Sequence, residues 1–87
     1  MAGGSKSQEM WFVYVLKSID HPFVYVGMTG DVAKRLISHN AKLNKSTRHY
    51  APYDLVFYLA VRTREKALEL EKYFKGGSGK AFIKKHF

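Results

Sequence analysis

Tyr14, Tyr25, Arg35, His39 and Glu71 are the side chains of this 87-residue chain whose types and spacing suit chemistry on a phosphate. Tyr14 lies in WFVYVLK and Tyr25 in VYVG, two aromatic and β-branched runs joined through SIDHPF, the composition of a strand hairpin. With the turn centred on Ile19-Asp20, Tyr14 is expected opposite Tyr25, and period-two alternation puts Phe12, Tyr14, Phe23 and Tyr25 on one face. Arg35 and His39 are spaced i,i+4 and share a helix edge. Two phenols beside an arginine and a histidine can hold a water molecule and a phosphate oxygen together. The same residues also suit ordinary hairpin packing, with His39 a structural histidine donating a ring N–H to a carbonyl.

Glu71 stands out for a different reason. Ala67, Leu70 and Phe74 surround it at helical spacing, so it falls within or beside an apolar stripe where packing alone would place a leucine. Three readings are open: an ion pair with Arg35 tying two helices together, a catalytic or metal-binding carboxylate, or an exposed residue on a rotated helix. His21, His39, His49 and His86 lack tight spacing and the chain has no cysteine, which argues against zinc. One carboxylate with water and substrate phosphate suits a hard cation such as Mg²⁺.

The elements that must position these residues are legible as segments. Residues 11–17 and 24–27 read as two strands, and Gly27-Met28-Thr29-Gly30 as the break after them, with Gly27 a structural turn. Thr29 or Asp31 can cap a helix through VAKRLISHNAKL, with Val32, Leu36 and Ile37 as its apolar side. After a polar loop, Asn44 to His49, the run Leu55–Val61 reads as a third strand covered on both faces. Thr63 caps REKALELEKYFK, Gly76-Gly77 stops it, and Ser78 is expected to cap a short last helix on which Phe82 and Ile83 dock. The order is β-β-α-β-α-α, a small α+β domain with a three-stranded sheet flanked by helices.

Composition limits the partners. Lys+Arg 15 against Asp+Glu 7 give a formal charge of +8. The excess is concentrated, with a net +4 in residues 31–49 and +5 in 72–87. Clustered positive charge favours a polyanion, nucleic acid first, over a membrane surface. Lys34, Lys42, Lys45 and Arg48 in the first block and Lys75, Lys80, Lys84 and Lys85 in the second are the candidate backbone-binding residues. The length excludes a two-domain enzyme, and the absence of cysteine excludes disulfides and thiol chemistry. Residues 1–9 read as a mobile leader or expression remnant and 10–87 as the domain, with the cytoplasm as the expected location.

Val13-Tyr14-Val15, then Tyr25-Val26-Gly27, then MTGDVAKRLISHN and ALELEKYFK follow one another in an order that resembles the GIY-YIG nuclease superfamily, particularly its small single-domain bacterial members. The likeness runs from about Trp11 to Phe87. It implies a GIY-YIG-like three-stranded sheet with helices and single-site phosphodiester hydrolysis of DNA. By resemblance Tyr14, Tyr25, Arg35, His39 and Glu71 are the catalytic positions, Glu71 holding Mg²⁺ or Mn²⁺, a tyrosine assisting deprotonation of water and Arg35 stabilising developing charge. Gly27 matches the glycine of the second motif. The chain has no room for a separate sequence reader, so recognition is expected to follow backbone and shape, as in repair or recombination, with a partner protein as one source of targeting. The alternative is a non-catalytic nucleic-acid-binding module, or an interaction domain on a nuclease-like fold. It is supported by the lack, in GGSGKAFIKKHF, of the asparagine found after the glutamate in many larger family nucleases. Phe82, Ile83 and Phe87 suit self-association or internal packing equally.

Overall fold

The computed structural model describes residues 10–87; the leader expected at 1–9 lies outside the described residues. Val13, Tyr14, Val15 and Leu16 are consecutive and all sealed from solvent, which a strand can achieve only when both of its faces are covered. They belong to β1 (Trp11–Ser18), the centre of a three-stranded sheet of order β2-β1-β3 in which both pairings are antiparallel. The edges are β2 (Val24–Thr29) and β3 (Tyr53–Val61).

Alternation along β1 divides the interior in two. Tyr14 and Leu16 point to a layer containing Val32 and Leu36 of α1 (Val32–Asn40), together with Tyr53 and Leu55. Val13 and Val15 point to the opposite layer, against Ala67, Leu70 and Phe74 of α2 (Arg64–Lys75) and Ile83 of α3 (Gly77–His86). Of the two candidates for the first helix it is Asp31 that caps, its Oδ1 accepting from Lys34 N–H at 3.0 Å, and Thr63 Oγ1 accepts from Lys66 N–H at 3.1 Å as expected. Among the described residues no helix is long and apolar enough to cross a membrane.

Several local expectations are corrected. The hairpin pairs Lys17 with Val24, one residue later than a turn centred on Ile19-Asp20, so Tyr14 stands opposite Gly27 and Tyr25 opposite Leu16. Ser18 explains the shift: its Oγ donates to Tyr50 C=O at 2.6 Å and accepts from His21 N–H at 3.1 Å, which draws Ser18 into β1 and opens a wider loop. The slip is even, so the two tyrosines keep a common face. β2 continues through Gly27 to Thr29 rather than breaking there. The third strand is an edge and not covered on both faces; Tyr58 and Leu59 are exposed. Its apolar run has another cause, an irregularity that pairs Val15 with Phe57 and Leu16 with Leu55, leaving Val56 extra and turning Val56 and Phe57 to the same layer. Ile37 is exposed rather than part of the α1 core stripe, as is Phe82 on α3, although Ile83 docks as expected.

The junction of α2 and α3 is tighter than a capped pair requires. Gly76 ends the first helix and directly begins the second, so Ser78 lies inside α3 and caps nothing. A Cβ on Gly79 would collide with the Tyr73 carbonyl and the Phe74 backbone. Gly79→Ala is expected to destabilise the fold by about 2–3 kcal/mol, as overpacking against backbone does. Gly30→Ala, where a Cβ would meet nothing within 4 Å, should change stability by less than about 0.5 kcal/mol. Urea unfolding of both variants measures the contrast, and equal effects would contradict the close helix junction.

Candidate active site

Burying Tyr14 and His39 obliges their polar atoms to be paired inside the protein. Tyr14 Oη lies 2.9 Å from His39 Nε2, and His39 Nδ1 lies 2.7 Å from Thr47 Oγ1. All three residues are almost wholly inaccessible. Tyr25 completes an aromatic cluster, its ring centroid 6.2 Å from that of Tyr14 and 5.1 Å from that of His39.

The α1 helix brings His39 to β1 because its C-terminal end is tied down. Asn40 Oδ1 accepts from Tyr53 N–H at 2.7 Å while its Nδ2 donates to Tyr53 C=O at 3.3 Å. The chain then reverses through Lys42, at a left-handed φ of 63°, and returns with Thr47 beneath the imidazole. Tyr53 Oη donates to Thr47 C=O at 2.7 Å and holds that loop in place. Thr47, Asn40 and Tyr53 carry no advance signal in the sequence, since each works through a partner reached only by the fold.

Gly27 has a role other than the turn expected of it. A Cβ there would stand 2.5 Å from Tyr14 Oη, 2.7 Å from Tyr14 Cζ and 2.9 Å from a ring carbon of Tyr25. The glycine is the space into which the Tyr14 hydroxyl fits.

Electrostatics set the protonation states. Burial pushes the Tyr14 phenol up from 10.0 to about 12, the Arg35 guanidinium opposes the rise, and Tyr25 and Glu71 add to it. Burial and then the Arg35 charge hold His39 below its ordinary 6.5. A neutral imidazole bonded to a protonated phenol is the resting state near pH 7. Glu71 enters from α2. Its side chain is 17% exposed, and Oε2 pairs at 3.4 Å with Lys75 Nζ one turn later, not with Arg35. Lys75 Nζ also stands 5.9 Å from the centroid of the Tyr25 ring. The structure thus links Glu71 to Tyr25 through Lys75 and Tyr25 to Tyr14 and His39, with Arg35 felt at both Tyr14 and His39.

The basic residues separate into two groups. Lys34, Lys42, Lys45 and Arg48 are exposed on α1 and on the segment that follows it. Lys75, Lys80 and Lys84 line a groove on the opposite side of the sheet, joined by Lys17, which sequence reading passed over; Lys85 is exposed on α3 outside that lining. Alternation from Val13 and Val15 was the signal that places Lys17 on that face.

A family profile described as the GIY-YIG catalytic domain matches residues 10–85. The chain belongs to the GIY-YIG family. Within it the chain is 40% identical over 65 residues to UPF0213 proteins of Streptococcus pyogenes serotypes M3 and M1, a match covering 74% of this chain and 70% of each relative. The solution NMR structure of a UPF0213 protein from Bacillus halodurans is similar at 32% identity and a TM-score of 0.52, covering 86% of this chain and 80% of that one. The three-stranded sheet with three helices in the order β-β-α-β-α-α is the GIY-YIG arrangement.

Two outcomes test the buried centre of this GIY-YIG domain. Thr47→Val leaves His39 Nδ1 buried without a partner and is expected to cost about 1–3 kcal/mol, whereas Thr47→Ser retains the hydroxyl and most of the stability. The second concerns pH. With His39 depressed in the folded chain, the unfolded chain binds more protons below 6.5, so stability is full above that pH and declines as pH falls through the folded value. Tyr14 acts at the other end, its contribution full below pH 10.0 and lost as pH rises toward about 12. Urea midpoints on either side of pH 6.5 should fall on acidification in the wild type and be flatter in His39→Gln. Equal slopes would assign the acid sensitivity to other groups.

Proposed function

We propose that this GIY-YIG domain is a metal-dependent endonuclease that hydrolyses phosphodiester bonds in DNA, directed by backbone and shape rather than by base sequence. The hydrogen bond from the Tyr14 hydroxyl to neutral His39 Nε2 carries the reading. A phenol held at about 12 is a poor base by itself near neutrality, so a proton taken from water needs somewhere further to go. Once substrate admits the attacking water to the Tyr14 hydroxyl, which is closed to solvent in the free protein, Tyr14 receives that water's proton as its own passes to His39 Nε2, and the imidazolium so formed keeps its contact with Thr47. Tyr25, more open than Tyr14, borders the space in which water and phosphate meet. Arg35 supplies positive charge for the oxygens that become more negative in the transition state.

Glu71 is the residue that would hold Mg²⁺ or Mn²⁺. A hard cation of this kind is commonly held by few protein ligands, here one carboxylate with water and the substrate's own phosphate. When bound, the ion supplies charge at the phosphate and leaving oxygens. Lys75, paired with Glu71 before the ion enters, keeps the largely buried carboxylate from standing alone.

The test is cleavage of labelled branched, single-stranded and duplex DNA by purified protein with Mg²⁺ or Mn²⁺. Glu71→Gln and Arg35→Ala are each expected to lose about 10²–10³-fold in rate, and Tyr14→Phe about 10²–10⁴-fold. DNA binding without metal-dependent, mutation-sensitive cleavage would overturn the reading and leave a non-catalytic nucleic-acid-binding module.

A further inference from the structure

The α3 helix leans on α2 through Gly79, and the sheet face beside it stays open at the hairpin end. What remains is a groove of about 980 Å³. Its floor is apolar, with Val24, Val26, Phe74 and Phe87 among its lining. Among the described residues its cations are Lys17, Lys75, Lys80 and Lys84, and none of its lining is acidic. Tyr25, the more open of the two phenols of the candidate active site, is part of its lining, and Lys75 joins the groove to Glu71.

We propose that this groove takes the nucleic acid as a single strand, its bases laid against the apolar floor and its phosphates on Lys17, Lys80 and Lys84. The inference rests on the nuclease reading above and names the form of substrate that reaches the same site. Charge complementarity sets the sign of the occupant, and continuity with Tyr25 sets its class, because whatever fills the groove runs into the phosphate-handling centre. The apolar floor then decides its form. A duplex keeps its bases stacked on one another and shows a protein its charged backbone and groove edges, whereas an unpaired strand has base faces to bury. Phe87 is well placed for this, since its ring is already stacked on Phe57 at 4.6 Å while more than half of its surface remains open.

Fluorescence anisotropy with a labelled oligodeoxythymidylate and with a duplex of equal length, both in EDTA so that nothing is cut, reads the preference. The wild type is expected to bind the single strand at least about tenfold more tightly, and Lys80→Glu/Lys84→Glu to remove most of that advantage. Phe87→Ala should weaken single-strand binding about tenfold while leaving duplex binding nearly unchanged. A 2-aminopurine placed in the strand should be quenched by the wild type and less by Phe87→Ala, a base-stacking readout that general surface charge does not produce. Equal affinity for strand and duplex, equal losses on both, or stronger competition by an acidic peptide or anionic vesicles would overturn the proposal. Its failure is separable from that of the nuclease reading. Metal-dependent cleavage sensitive to Glu71→Gln but indifferent to the groove variants removes the groove alone, whereas single-strand binding without cleavage removes the nuclease reading.

Discussion

Tyr14 and His39 come from different elements, 25 residues apart, and both are sealed from water, so the free energy of burying them depends on the hydrogen bond of 2.9 Å between them, backed by the Thr47 hydroxyl on the second ring nitrogen. Much of the domain is arranged around that bond. Asn40 clamps the end of α1 to the start of β3, and the loop beyond it returns to place Thr47 under the second ring nitrogen. Gly27 leaves out the one carbon that would occupy the place of the phenol's oxygen. A histidine supported in this way is held in one orientation, and its neutrality follows from burial and from the positive charge of Arg35.

The same bond connects the interior to the reaction proposed for the surface. Tyr14 comes from the middle strand, Arg35 from the α1 layer and Glu71 from the α2 layer, and β2 is an edge of the sheet between those layers. Tyr25 sits on that edge, where residues from both sides can approach one another. An edge strand is usually a liability because its backbone invites another strand. Here it is the place where Lys75 of α2, paired with Glu71 on its own helix, reaches the Tyr25 ring.

Charge is organised by the same layering. The block at residues 31–49 belongs to the α1 side and the block at 72–87 to the side of α2 and α3, so the strongly basic sequence becomes two surfaces with the tyrosines between them. The second surface has an apolar floor between its lysines, because α3 packs on α2 and covers the sheet only in part.

The chain order, the cap at Thr63, the choice of Thr29 or Asp31 as the other cap, and the common face of Tyr14 and Tyr25 were legible in the sequence, because each depends on residue type and on periods of two or 3.6. An even register slip in the hairpin could leave the tyrosines on one face while changing which residue stands opposite Tyr14, since pattern fixes faces but side-chain bonds such as those of Ser18 fix register. Whether Glu71 would meet Arg35 or Lys75, whether Gly27 made a turn or a space, and which hydroxyl would support His39 could not be read in advance. These are contacts across elements, settled by distances of a few ångströms after packing, and local propensity carries no information about them. The sequence determined which groups are present and which way they face; tertiary structure decided their partners, and with them their protonation.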